Sequence, residues 1–291
     1  MTDKNVKRRE IFMTEETAKA DEKSRPLLTQ LFDDLIKLPQ KIGEVVLAFF
    51  ISVKQMLTFT AKGIAACFTP PFYPRLILRQ LINIGYYSLP VIAMTTLFTG
   101  MVLALQSYTG FSRSLPSESA VATVVALSVT RELAPVLAGL MVAGRVGASI
   151  AAEIGTMRVT EQIDALATLS TNPFKYLIAP RLLAGILTLP ILVLIGDIIG
   201  IFGGYIVAVY KLGFEPEAYL RNTWDFLQYM DVVSGLVKAA AFGFIVTLMG
   251  CYHGFNSGRG AQGVGAATTN AVVSGSIMIL IVNYLLTQVF F

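Results

Sequence analysis

Four charged side chains interrupt stretches of sequence that are otherwise apolar. Arg131 and Glu132 sit together in "TRELAP", Asp197 in "LIGDIIG" and Lys238 in "LVKAAA". A charge at mid-membrane depth costs a few kcal/mol, so residues of this kind pair with one another or face a watery cavity. Arg131 lies about ten residues from the outer end of its run and Asp197 about twelve, roughly 15 and 18 Å deep at the helical rise. The matched depths predict that Arg131 or Lys238 neutralises Asp197 inside the bilayer. Other chemistry is poorly supplied. His253 is the single histidine, no serine stands in a G-x-S-x-G elbow, and Cys67 and Cys251 have neither metal-site nor disulfide spacing. No G-x-x-x-x-G-K-[ST] loop exists to cradle phosphates. No catalytic residue, metal ligand or cofactor is therefore assigned, and ATP-driven work would need a separate subunit.

A second group of polar residues lies in "EIGTMRVTEQIDALATLSTNP", residues 153–173. Thr160 can cap a helix, Glu161 falls in the first turn where the helix dipole favours an acid, and Asn172-Pro173 ends it. Ile163, Leu166 and Leu169 recur at helical spacing. The pattern predicts a short amphipathic helix over about 160–170, parallel to the membrane. Such a helix suits an interfacial connector or a docking surface equally well.

The elements around these residues follow from composition. Apolar residues make up 54% of the chain and charged ones 14%, and the mean hydropathy of +0.65 is that of an integral membrane protein. The expected fold is all-α. Residues 1–40 read as a polar, disordered cytoplasmic tail, and 41–68, apolar but punctuated by Lys41, Glu44, Lys54 and Lys62, as an interfacial helix. Transmembrane spans are expected at about 80–111, kinked by Pro90, then 121–150, 182–209, 232–252 and 268–291. Gly196, Gly200 and Gly204 give the third a face that a neighbouring helix can approach closely. Arg75, Arg79, Arg145, Arg158, Lys175 and Arg181 cluster on one side, whereas the loop from Lys211 to Asp231 carries Glu215, Glu217, Asp225 and Asp231. The positive-inside rule then puts the amino terminus in the cytoplasm and, after five spans, the carboxyl terminus outside. The basic residues are scattered around spans without a basic-aromatic stretch, so nucleic acid is not an expected partner.

The runs "GMVLALQ", "RELAPVLAGLMVAGRVGASIAAEIGTMRVTEQIDAL", "NPFKYLIAPRLLAG" and "GVGAATTNAVV" resemble the MlaE/YrbE permeases, the membrane subunits of ABC-type lipid transporters of the Mla and Mce kind. The resemblance covers about residues 41–291, leaving the long amino-terminal tail outside it. It implies a homodimeric permease in a bacterial inner membrane that moves phospholipid and helps maintain outer-membrane lipid asymmetry. Its implied partners are a cytoplasmic ABC ATPase, a periplasmic MCE-domain lipid-binding protein and, in some systems, a STAS-domain subunit. Arg158, Glu161, Gln162, Ile163 and Leu166 then form the segment that couples to the ATPase. The uncharged end of the first span, with Leu103, Tyr108 and Phe111, becomes a wall of an outward-facing lipid cavity. The alternatives are a secondary transporter built on intramembrane charges such as Asp197, for which five spans offer no paired repeats, and a structural scaffold, which leaves those charges unexplained.

Overall fold

The computed structural model describes residues 27–111 and 117–290. Most of the expected tail and the residues directly after Phe111 lie outside this range. Within it every regular element is helical. The chain divides into two units between Thr58 and Phe59. The first contains most of α1 (Leu27–Phe68), which begins well before the expected interfacial helix and exposes Leu47, Phe50 and Ile51.

The second unit holds five helical segments long and apolar enough to cross a membrane, at Pro74–Phe111, Ser119–Val159, Phe174–Tyr210, Tyr229–Phe255 and Gly260–Phe290. Each is longer than hydropathy suggests, because polar residues at the ends continue the same helices. Span one is two helices, α2 (Pro74–Gly85) and α3 (Leu89–Phe111), broken just ahead of Pro90. Proline has no N–H to continue the ladder and its ring crowds the preceding turn. Arg145 of span two braces the break by donating to the carbonyls of Asn83 and Ile84 and to the Ser88 hydroxyl, at 2.7–3.3 Å.

Span two comprises α4 (Ser117–Ser128), α5 (Ala134–Val142) and α6 (Ala148–Val159), joined by π-helical turns at Val129–Leu133 and Ala143–Gly147. A short α7 (Gln162–Thr168) leads to a third π turn, Phe174–Ile178, and then to α8 (Ala179–Tyr210). Amphipathic α9 (Pro216–Phe226) precedes α10 (Tyr229–Phe255) and α11 (Gly260–Phe290). Burial pushes the Tyr219 phenol of α9 up to about 12.

The glycine face of α8 works as its spacing suggests. A Cβ on Gly196 would press on Thr96 of α3 at 3.2 Å, and one on Gly204 would meet Val125 of α4 at 2.7 Å. Small residues thus let three helices pack at close range, where dispersion and backbone contacts replace the hydrophobic drive that lipid does not supply. Ile92, Leu182, Leu189, Phe242 and Met249 fill the core between spans one, three and four.

Candidate functional site

The charges predicted to lie in the membrane do meet, but not in the expected pairs. The π turn at Val129–Leu133 carries both Arg131 and Glu132. Widening the helix by one residue loosens the ordinary backbone register, and the Arg131 carbonyl accepts a bond from Lys238 Nζ at 2.9 Å. The same ammonium donates to Glu132 Oε1 at 2.7 Å and to Thr287 Oγ1 at 2.8 Å. All three of its protons are matched, which is what allows a lysine to be 0% exposed. Glu132 Oε2 accepts from Asn283 Nδ2 at 2.9 Å. One carboxylate therefore ties spans two, four and five together.

Arg131 turns to a different acid. Its Nε and Nη2 reach Asp231 Oδ1 at 2.8 and 2.7 Å. Asp231 is 1% exposed, and its Oδ2 accepts the Gln228 backbone N–H at 2.9 Å, closing a capping box at the start of α10. From its sequence position alone Asp231 belongs with the acids of an outer loop. The correction is that α10 begins at Tyr229, so Asp231 is a buried first-turn residue. Asp231, Asn283 and Thr287 are the functional candidates the sequence reading missed. The only local signal was Gln228 three residues before Asp231, a spacing that fits a helix start.

The expected neutralisation of Asp197 is not formed. Asp197 is 4% exposed and neither carboxylate oxygen has a hydrogen-bond partner among the described residues. Asp231 and Glu132 engage the two cations instead, with short, multiply bonded geometry.

At the opposite end of span two lies the predicted amphipathic helix. It is α7, and it starts later than spacing suggested. Thr160 does not cap it, because its hydroxyl donates back to Thr156 O at 2.9 Å and its residue closes α6. The chain turns instead at Glu161, whose φ of 59° is left-handed, a conformation costly for a residue with a Cβ. Arg158 Nη1 bonds Asp164 Oδ1 at 2.8 Å, an exposed pair within the chain. Ile163 is 2% exposed and anchors α7 to the body, which corrects its expected role as a residue that fills a partner's cleft. Glu161, Gln162 and Asp164 face outward, Leu166 is half-buried and Leu169 is 74% exposed. Beyond α7, Asn172 Oδ1 accepts the Phe174 N–H at 2.9 Å. The Phe174 ring lies 5.2 Å from that of Phe59 and 5.5 Å from that of Phe255 at the end of span four.

The residues proposed for an acyl-chain wall lie on α3. Leu103, Tyr108 and Phe111 are each half-buried, and the Tyr108 ring packs edge-on against Phe214 at 5.8 Å. His253, in the last turn of α10, shares a 2.9 Å hydrogen bond with Ser274 of span five.

Five apolar helices, a cluster of paired charges among them and a short polar helix slung between two spans define a multi-pass helical membrane protein. The family profile of Permease MlaE matches residues 77–289, and the chain belongs to that family of ABC transporter permeases. A probable ABC transporter permease protein of Rickettsia felis is 61% identical over 257 residues, covering 88% of this chain and 99% of the relative. A probable ABC transporter permease protein of Synechocystis is 41% identical over 214 residues, 74% of this chain and 81% of the relative. The intermembrane phospholipid transport system permease protein MlaE of Haemophilus influenzae is 35% identical over 221 residues, 74% of this chain and 83% of that protein.

Proposed function

We propose that this chain is the permease subunit of an ATP-driven phospholipid transporter in a bacterial inner membrane, with its amino terminus in the cytoplasm and its carboxyl terminus in the periplasm. A separate cytoplasmic ATPase hydrolyses ATP and docks on the outward face of α7. The observation that carries the reading is the construction of α7. It presents Glu161, Gln162 and Asp164 to solvent, is pinned from behind by Ile163, and connects to two spans by only a few residues on either side. A push on such a helix moves spans two and three together. The phospholipid substrate is supported by the named activity of the H. influenzae relative. The basic residues gathered at the α7 end, Arg75, Arg79, Lys175 and Arg181 among them, support the orientation. In the same reading two copies form the working permease, an MCE-domain lipid-binding protein receives or supplies lipid outside, and a STAS-domain subunit attaches in some systems. Leu103, Tyr108 and Phe111 line the lipid route.

The test replaces Glu161 by Lys and Leu166 by Asp, confirms normal membrane insertion, and measures ATPase co-purification together with ATP-driven lipid transfer. Loss of both at normal insertion is the expected result. Unchanged complex formation and transfer would reject the coupling role and leave α7 as an interfacial connector.

A further inference from the structure

At the α7 end of the bundle two cavities, of about 270 and 190 Å³, share Gln80, Asn83 and Glu153 in their walls. They lie where α2 meets the end of span two and the start of span three, at residues none of the transport roles above uses. The first is walled by Arg145 and the second by Arg79 and Arg181, while Glu153 is the one carboxylate in either wall. Glu153 is already committed, since its Oε2 pairs with Arg181 Nη2 at 2.9 Å. Arg145 and Arg79 have no carboxylate partner among the described residues. Arg145 is held by its bonds to the α2 end and to Ser88, so its position is preset. Arg79 is exposed and bonds nothing in the chain among the described residues. Arg145 spends its Nε and Nη2 donors on Ser88, Asn83 and Ile84, whereas Arg79 keeps its whole guanidinium open, and such a group suits an oxyanion that can accept several N–H bonds at once. Tyr87 and Tyr176 stand in the same walls, and tyrosines mark the depth at which lipid headgroups lie.

We propose that this pair of adjoining cavities binds a phosphate group at Arg79, with Gln80 and Asn83 of the shared wall as neutral donors and Arg145 in the neighbouring wall adding positive charge. The phosphate of a phospholipid headgroup and the free ion share this chemistry, and the tyrosines in the walls favour the lipid. The site stands apart from the transport reading, because its signature is binding without nucleotide.

The experiment uses the full chain in nanodiscs made of equal parts phosphatidylglycerol and a phosphate-free galactosyl diacylglycerol, released into native mass spectrometry with and without excess inorganic phosphate. Wild-type protein is expected to retain phosphatidylglycerol over the glycolipid, and Arg79→Gln to lose about tenfold of that preference, the loss of one to two charge-assisted hydrogen bonds. Arg79 has no partner among the described residues, so the variant should melt like wild type. Arg221→Gln, an equal change of charge on α9 at the other end, should retain lipid normally. Inorganic phosphate adducts that vanish in Arg79→Gln, without lipid preference, would keep the phosphate site and assign it to the free ion. Retention that is alike in wild type, Arg79→Gln and Arg221→Gln, with no phosphate adduct, would overturn the proposal and leave transport by the permease untouched.

Discussion

Lys238, which pairs with the partly exposed Glu132, and Asp197 are both buried charges on transmembrane helices, and their surroundings are built in opposite ways. In the cluster each ammonium proton has its own acceptor, and the carboxylate reaches two further side chains on span five. Asp197 has glycines at 196 and 200 beside it and no partner for either oxygen among the described residues. The first arrangement fixes three helices at one mutual depth, since a shift of any span along its axis would strand a charge. The second fixes nothing, and its acid can be exchanged for a neutral isostere without leaving a cation behind. A third region, α7, differs from both in being largely exposed, short and preceded by a left-handed residue at Glu161. The contrast separates residues that hold the permease together from those proposed to drive it.

The largest effect is expected at the cluster. Lys238→Met leaves the Glu132 carboxylate without its cation; breaking one side of a fully buried pair costs about 3–5 kcal/mol, and because the Glu132 side chain is 37% exposed the expected loss is smaller, about 1–3 kcal/mol. Denaturant unfolding in detergent micelles should show that loss, and the double variant Glu132→Met with Lys238→Met should recover most of it. No recovery would mean that Thr287 and Asn283, rather than the ion pair, hold the spans. Comparable in size is overpacking of the helix crossing. Gly204→Leu puts a side chain where Val125 and the Tyr219 hydroxyl already lie, at 2.7 and 3.1 Å from the first added carbon, with an expected cost of about 1–3 kcal/mol in the same assay.

Asp197→Asn sharpens the comparison from the other side. Removing a buried carboxyl that nothing accompanies should leave stability unchanged or raise it by about 1 kcal/mol. A loss comparable to that of Lys238→Met would show that Asp197 has an essential partner. The smallest effect is expected at Arg158→Gln, which breaks an ion pair exposed on both sides and should cost below about 1 kcal/mol.

The sequence made some of this legible. Long charge-poor runs located all five spans, Pro90 marked the break in span one, and the spacing of Gly196, Gly200 and Gly204 announced close helix packing. The identity of charge partners was not legible, because Arg131 and Asp231 lie 100 residues apart and matched depth along two helices does not say which faces meet. Helix starts were also obscured. Asp231 looked like a loop acid until its capping geometry put it inside α10, and Thr160 looked like a cap although its hydroxyl bonds backward. Ile163 obeyed the apolar periodicity of α7, but periodicity identifies a face and not whether the chain itself or another protein covers it.

The division of labour between the cluster and α7 is tested most directly by measuring the melting temperature and ATP-driven phospholipid transfer on the same preparations of two variants, Lys238→Met and Glu161→Lys. Lys238→Met should melt well below wild type and regain its melting temperature when Glu132→Met is added. Glu161→Lys should melt like wild type and transfer lipid at least about tenfold more slowly, a deficit of about 1.4 kcal/mol in the driven step. Glu161→Lys protein that transfers lipid at the wild-type rate, or that loses transfer only in proportion to its loss of fold, would contradict the account.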